Sequence, residues 1–325
     1  MLCKAYGPPE SLVVEDLPPV EPGPGEVVIR VKAAGVNFPD VLIIQNKYQI
    51  KPPLPFSPGS EVAGVVKAVG DAVTRVKPGD AVMALTAFGG FAEEVKTDER
   101  QVLPLPAGMD FATAAAFGLT YATSDHALRD RGALKAGETL LVLGAAGGVG
   151  IAAIEIGKAL GARVIACAST DEKLATCRAH GADATINYAT EDLRERIKAL
   201  TGGRGADVIY DPVGGAYTEP ALRSIAWRGR LLVVGSASGD IPKIPLNLTL
   251  LKGCSIVGVY WGDFSRREPD RFAEQMRQLG RWFSDGVIKP HISAMFPLER
   301  ASEALRLMAE RRVTGKLVLT VAPLA

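Results

Sequence analysis

One stretch constrains the fold more than any other. Leu140-Leu141-Val142-Leu143 runs into Gly144-Ala145-Ala146-Gly147-Gly148-Val149-Gly150, and the helical pattern Ile151–Gly161 follows. An apolar strand, a glycine-rich turn, a helix and a second strand beginning near Arg163 form the βαβ unit on which dinucleotides bind. Gly147 and Gly148 let the backbone approach a pyrophosphate, and Gly150 lets the helix pack closely on the strand. The helix N-terminus adds free N–H groups and the positive end of the helix dipole. With Ala146 and Val149 these residues make the expected phosphate turn. The first glycine of the usual G-x-G-x-x-G is replaced by Ala145, preceded by Gly144, so the turn differs slightly. The alternative is a glycine turn with packing duty only, and the flanking βαβ context weighs against it.

From about Phe117 strands and helices alternate. Strands are expected at Thr139–Leu143, Arg163–Ala168, Ala184–Tyr188, Asp207–Asp211, Arg230–Val234 and Ser255–Tyr260, with helices such as Asp171–His180 and Glu191–Leu200 between them. Nearly uniform apolar strands separated by helices imply a parallel, doubly wound α/β sheet. Before about Ala116 the texture is different. Short apolar runs such as Val27–Val31, Val62–Val69 and Ala81–Leu85 are broken by Pro and Gly, which suggests a small irregular β-barrel. The final helix Leu298–Arg311 and strand Lys316–Val321 have no place in a six-stranded sheet and are expected to return to the first domain. The expected domains are therefore 1–116 with 285–325, and 117–284.

Cofactor choice is read at the tip of the second strand. An NAD site wants an acid there, to accept from the ribose hydroxyls. This chain has Ser169, which leaves room for a phosphate, and Lys173 one helical turn later can supply the compensating charge. Asp171 and Glu172 read as first-turn residues of the next helix. The expected cofactor is NADPH, with a solvated surface lysine as the alternative reading of Lys173. Val213 after the fourth strand, and Gly235, Ser236 and Ala237 after the fifth, sit at carboxyl ends of strands, where ligands bind in such sheets.

Charge and composition narrow the rest. The chain carries 37 Lys and Arg against 36 Asp and Glu, a net charge of +1 that suggests neither a nucleic-acid nor a membrane-surface partner. There is no apolar leader at the N-terminus. Of the four cysteines none forms a C-x-x-C pair, which argues against a disulfide framework or a cysteine zinc site. A cytoplasmic protein is expected.

Several further segments carry a family resemblance: Ala34-Gly35-Val36-Asn37-Phe38-Pro39-Asp40, Leu54–Gly64, Gly118-Leu119-Thr120, Gly144–Gly150, Gly235–Gly239 and Gly315–Leu319. Together they resemble the zinc-free quinone oxidoreductases (zeta-crystallin-like) of the medium-chain dehydrogenase/reductase superfamily. The resemblance covers essentially the whole chain. It implies a GroES-like β-barrel catalytic domain joined to a Rossmann nucleotide-binding domain. Zinc relatives bind their metal through a Cys, the His of a G-H-E segment, and a second Cys or Asp. Here Asn37 takes the first position and the segment reads Gly59-Ser60-Glu61. A carboxamide and a hydroxyl are poor zinc ligands, so no metal is expected.

The resemblance also suggests roles. It places Asn37 and Thr120 at the nicotinamide end, where either residue could equally bond only its own loop. Tyr48 stands where an aromatic often meets the substrate, as a stacking partner or proton donor, or as a rim aromatic with no chemical role. Asp40 is read as a loop cap, with orienting a proton path as the alternative, and Tyr188 as the tyrosine covering the adenosine phosphate. Lys316 is placed with the cofactor-binding residues, although a solvated lysine is its default reading. Tyr260 and Trp261 end the sixth strand as pocket walls or interface aromatics. Residues 254–261 should form an exposed edge strand that pairs across a two-fold in a homodimer. Three functions follow in order: NADPH-dependent quinone reduction, reduction of activated C=C bonds in enones or haloacrylates, and a non-catalytic NADPH-binding protein.

Overall fold

The computed structural model describes residues 1–321. Its strands are, in chain order, β1 (Glu26–Val36), β2 (Glu61–Val69), β3 (Ala81–Leu85), β4 (Glu94–Asp98) and β5 (Val102–Pro104). Then come β6 (Thr139–Val142), β7 (Arg163–Ala168), β8 (Ala184–Asn187), β9 (Ala206–Asp211), β10 (Ile225–Val233) and β11 (Ser255–Gly258). The last two are β12 (Ile292–Pro297) and β13 (Lys316–Thr320). The chain divides into two compact units, Met1–Leu119 with the segment from Pro290 onward, and Thr120–Lys289.

The first unit is built on one seven-stranded sheet, ordered β12-β13-β1-β2-β3-β5, with β4 on β1. Strand β1 is its spine. It pairs antiparallel with β2 along most of its length, with β4 over Glu26–Arg30, and with β13 over Ala33–Val36. The last strand thus lies in this unit's sheet, with β12 beside it. Ile29, Ile44, Val62 and Phe91 are fully buried in its core, each worth roughly 1.5–3 kcal/mol of apolar burial. Gly35 is forced by close approach, because a Cβ there would lie 1.9 Å from the Ala115 carbonyl oxygen and 2.8 Å from Glu61 Oε2.

The second unit is a six-stranded parallel sheet, ordered β11-β10-β9-β6-β7-β8. Counted from its first strand, this is the 3-2-1-4-5-6 winding of a Rossmann domain. Leu140, Leu141, Val208 and Ile209 at its centre are fully buried. The sixth strand stops at Gly258, short of the expected Tyr260. Trp261–Arg267 is instead a helix, with Trp261 buried and its Nε1 donating to Gln275 Oε1 at 3.0 Å. Trp261 is therefore a core residue of this unit, not the end of an edge strand. Among the described residues no helix is long and apolar enough to cross a membrane.

Candidate functional site

In the second unit the glycine turn is held from all sides. Helix Gly148–Ala159 starts at Gly147 with no side chain capping its first amides, so those N–H groups are left for an anion. A Cβ on Gly150 would lie 2.5 Å from the Gly144 carbonyl oxygen, which is why the helix can start so close to the strand. Behind the turn, Ser124 Oγ donates to the Val149 carbonyl at 2.8 Å and meets the buried Tyr210 hydroxyl at 2.9 Å.

The other expected residues gather at the same carboxyl ends. Val213 borders the turn, since a Cβ on Gly144 would come within 2.7 Å of its Cγ2. The loop carrying Gly235, Ser236 and Ala237 is bonded to the Val213 loop, through Ala237 N–H to Pro212 O at 3.1 Å and Ser238 N–H to Val213 O at 2.8 Å. Tyr188 N–H bonds Ala168 O at 3.1 Å, which puts Tyr188 beside the strand tip that carries Ser169. The Tyr188 ring packs on Tyr217 with centroids 4.3 Å apart. Lys173 lies in the first turn of helix Asp171–Ala179, capped by Thr170 Oγ1 on its own backbone N–H. It is half-buried, and burial pulls its ammonium below the usual lysine range, with Glu172 opposing. Thr120 is buried in helix Gly118–Asp125.

Three organising side chains were not foreseen. Asp211, 3% exposed, accepts from Val213 N–H, Gly214 N–H and the Thr218 hydroxyl, and so shapes the fourth-strand loop. Its signal was available: an Asp ahead of Pro-Val-Gly-Gly is a turn-former that bonds backbone two residues on. Ser124 carried no signal. Glu155, which only interrupted an apolar run in the sequence, is buried and accepts from Tyr121 OH at 2.7 Å and Lys289 N–H at 2.9 Å. It also bonds His180 Nδ1 at 2.7 Å.

The first unit holds a different kind of centre. Lys316 is 3% exposed, and its Nζ donates to Asn37 Oδ1 at 2.6 Å, Glu61 Oε2 at 3.1 Å and Val36 O at 3.2 Å. This overturns the solvated reading. All three acceptors are protein atoms of the same unit. Asn37 Nδ2 donates to Glu61 Oε2 at 3.2 Å and Gly35 O at 3.3 Å, while Glu61 Oε1 accepts from Leu119 N–H at 2.8 Å. The Asn37 amide, expected to orient a nicotinamide, is thus turned into the cluster at both ends. Asp40 does cap the loop, accepting from Asn37 N–H at 2.8 Å. Burial pushes its carboxyl up to about 7, against the pull of that N–H and of Lys316. Tyr48 is half-buried against this unit's core.

A Rossmann sheet with an uncapped glycine turn, joined to a GroES-like β domain, defines a dinucleotide-dependent oxidoreductase of the medium-chain type. Residues 23–107 match the alcohol dehydrogenase GroES-like domain, and residues 148–281 the zinc-binding dehydrogenase domain. The chain is 40% identical to a quinone oxidoreductase-like protein 2 homolog of Nematostella vectensis, over 98% of this chain and 88% of the relative. It is 39% identical to a quinone oxidoreductase of Pseudomonas aeruginosa, over 97% of both chains. Among solved structures it is similar to Escherichia coli quinone oxidoreductase complexed with NADPH, at TM-score 0.92, 32% identity and 98% coverage of each chain. It is also similar to CurK enoyl reductase, at TM-score 0.88 and 27% identity, covering 98% of this chain and 97% of that one. The chain belongs to the quinone oxidoreductase family of the medium-chain dehydrogenase/reductase superfamily.

Proposed function

We propose that this oxidoreductase uses NADPH to reduce quinones, without a metal. The observation that carries the metal-free chemistry is the buried Lys316–Glu61–Asn37 cluster. Both Glu61 oxygens and the Asn37 amide are already occupied. A divalent ion on either residue would face the Lys316 ammonium at ~5 Å, a repulsion on the order of 7 kcal/mol at an effective dielectric of about 20. Ser60, in the histidine position, offers only a buried hydroxyl with no hydrogen-bond partner among the described residues. These residues do not fit zinc. Without a Lewis acid, alkoxide chemistry is disfavoured, and an acceptor that is already electrophilic fits better.

The second unit fits the cofactor. Gly147, Gly148 and Val149 would hold the pyrophosphate, Ser169, Lys173 and Tyr188 the adenosine phosphate, and the Val213 and Gly235–Ala237 loops the remainder. NADPH when bound supplies the hydride; the protein positions it and excludes water. Beyond the hydride, reduction of a quinone to the hydroquinone takes one proton, and Tyr48 is the residue we assign to donate it, with Thr120 at the nicotinamide end. Asn37 then acts through the backbone it fixes.

The test is NADPH consumption across a quinone panel and an enone panel, with product analysis. Quinone turnover to hydroquinone is expected. A saturated product from an enone with no quinone turnover would instead establish the second reading, which the likeness to an enoyl reductase favours.

We further propose a cytoplasmic homodimer. Strand β11 has a neighbour on one side only, and Ile241, Leu246, Leu250 and Leu251 nearby in sequence are exposed at 83, 74, 80 and 66%. Exposed apolar side chains of this kind favour an interface there. A monomeric mass by light scattering at micromolar concentration would remove the dimer.

A further inference from the structure

The glycine turn accounts for pyrophosphate, but the choice between NADPH and NADH turns on the few residues around the tip of β7. Ser169 and Lys173 favour a phosphate there. Asp171, two residues on and exposed, does not. A carboxylate at this place can do two things against NADPH: accept from ribose hydroxyls, as NAD sites arrange, or repel the phosphate dianion.

The structure shows what restrains it. Asn187, at the end of β8, is 8% exposed, and its Nδ2 donates to Asp171 Oδ1 at 3.0 Å. The donor is itself fixed. Asn187 Oδ1 accepts from Ala189 N–H at 3.2 Å, and the Asn187 N–H donates to Glu191 Oε2 at 2.7 Å. With its oxygen and backbone both engaged, the amide can present only its NH2 toward Asp171. Strands β7 and β8 pair in register at Ala168 and Asn187, so the tether springs from the strand beside the one that carries Ser169.

We propose that Asn187 is a specificity-determining positioning residue, which ties back the Asp171 carboxylate and so keeps the nucleotide site selective for the phosphorylated cofactor. This rests on the NADPH reading above. It assigns Asn187 no contact with the cofactor; it acts through Asp171.

The test is a double-mutant cycle read by direct binding. Dissociation constants for NADPH and NADH are measured by calorimetry for the wild type, Asn187→Ala, Asp171→Ala and the double variant. A hydrogen bond to a charged group of this kind is worth enough to move an equilibrium about tenfold. Asn187→Ala should therefore lose about tenfold in NADPH-over-NADH preference. Asp171→Ala alone should keep the wild-type preference, because the tethered carboxylate is already out of the way. The double variant should recover it, because the freed carboxylate is what does the harm. An unchanged preference in Asn187→Ala would overturn the proposal. So would an equal loss for both cofactors that Asp171→Ala does not restore, which is the mark of a purely structural residue. Asn187→Ser, which keeps a short polar group at the strand tip, gives the same reading if the alanine variant does not fold. A wild type that prefers NADH would instead overturn the NADPH assignment itself, whatever the variants do.

Discussion

The two units concentrate polar chemistry in opposite ways. In the Rossmann unit the nucleotide turn is made of backbone: free amides at a helix start, and a glycine whose missing Cβ lets helix and strand meet. In the GroES-like unit the centre is made of side chains, a buried ammonium, carboxylate and amide that satisfy one another. A backbone site is cheap to build and stays open to a ligand. A buried ion cluster closes on itself, because each charge taken from water must be compensated within the protein. The difference is that the first centre leaves backbone amides open to an anion, while the second already holds a cation of its own, the Lys316 ammonium.

The comparison breaks most visibly at Lys316. Replacing it by Met strands Glu61 as an uncompensated buried charge, and should cost about 3–5 kcal/mol of stability, read as a lower denaturant midpoint. A loss under about 1 kcal/mol would mean the cluster is solvated and the argument against a metal fails. Next is Gly150→Ala. The added Cβ meets the Gly144 carbonyl, so about 1–3 kcal/mol should be lost together with cofactor binding; normal binding would show that the turn need not pack so closely.

Asp40 probes the side-chain centre through pH. Its folded carboxyl is raised from 3.8 to about 7, so between these values the folded state holds more proton than the unfolded. Stability from this group is therefore present at low pH and lost as pH rises, by up to about 1.4 kcal/mol per pH unit. Asp40→Asn should flatten that slope, as measured by unfolding at pH 4.5 to 7. The smallest effect is expected at Lys173. Its replacement by Ala should weaken NADPH about tenfold and leave NADH nearly unmoved. An equal loss for both would take Lys173 out of the phosphate role.

The asymmetry also governs what could be read before folding. The turn, the alternation of strands and helices, and the return of the last strand are local or periodic signals, visible because glycine sterics and side-chain period act over a few residues. Even there β11 ends earlier than its pattern implies, since Tyr260 and Trp261 continue an apolar run that the structure bends into a helix held by Gln275. The sequence also pointed to the loops after the fourth and fifth strands, Val213 and Gly235–Ala237, but not to Asp211, which holds the Val213 loop in shape, or to Asn187, which bonds Asp171.

The primary structure by itself therefore determined a Rossmann unit with its glycine-rich turn and a preceding β domain. Tertiary structure alone decided the fate of Lys316. It stands 279 positions from Asn37 and 255 from Glu61, and a lysine so far in sequence from its partners reads as a surface charge. Only the antiparallel pairing of β13 on β1 brings the ammonium to those partners. Burial then turns an ordinary lysine into the cation of the centre, because an ion removed from water takes its meaning from whatever surrounds it.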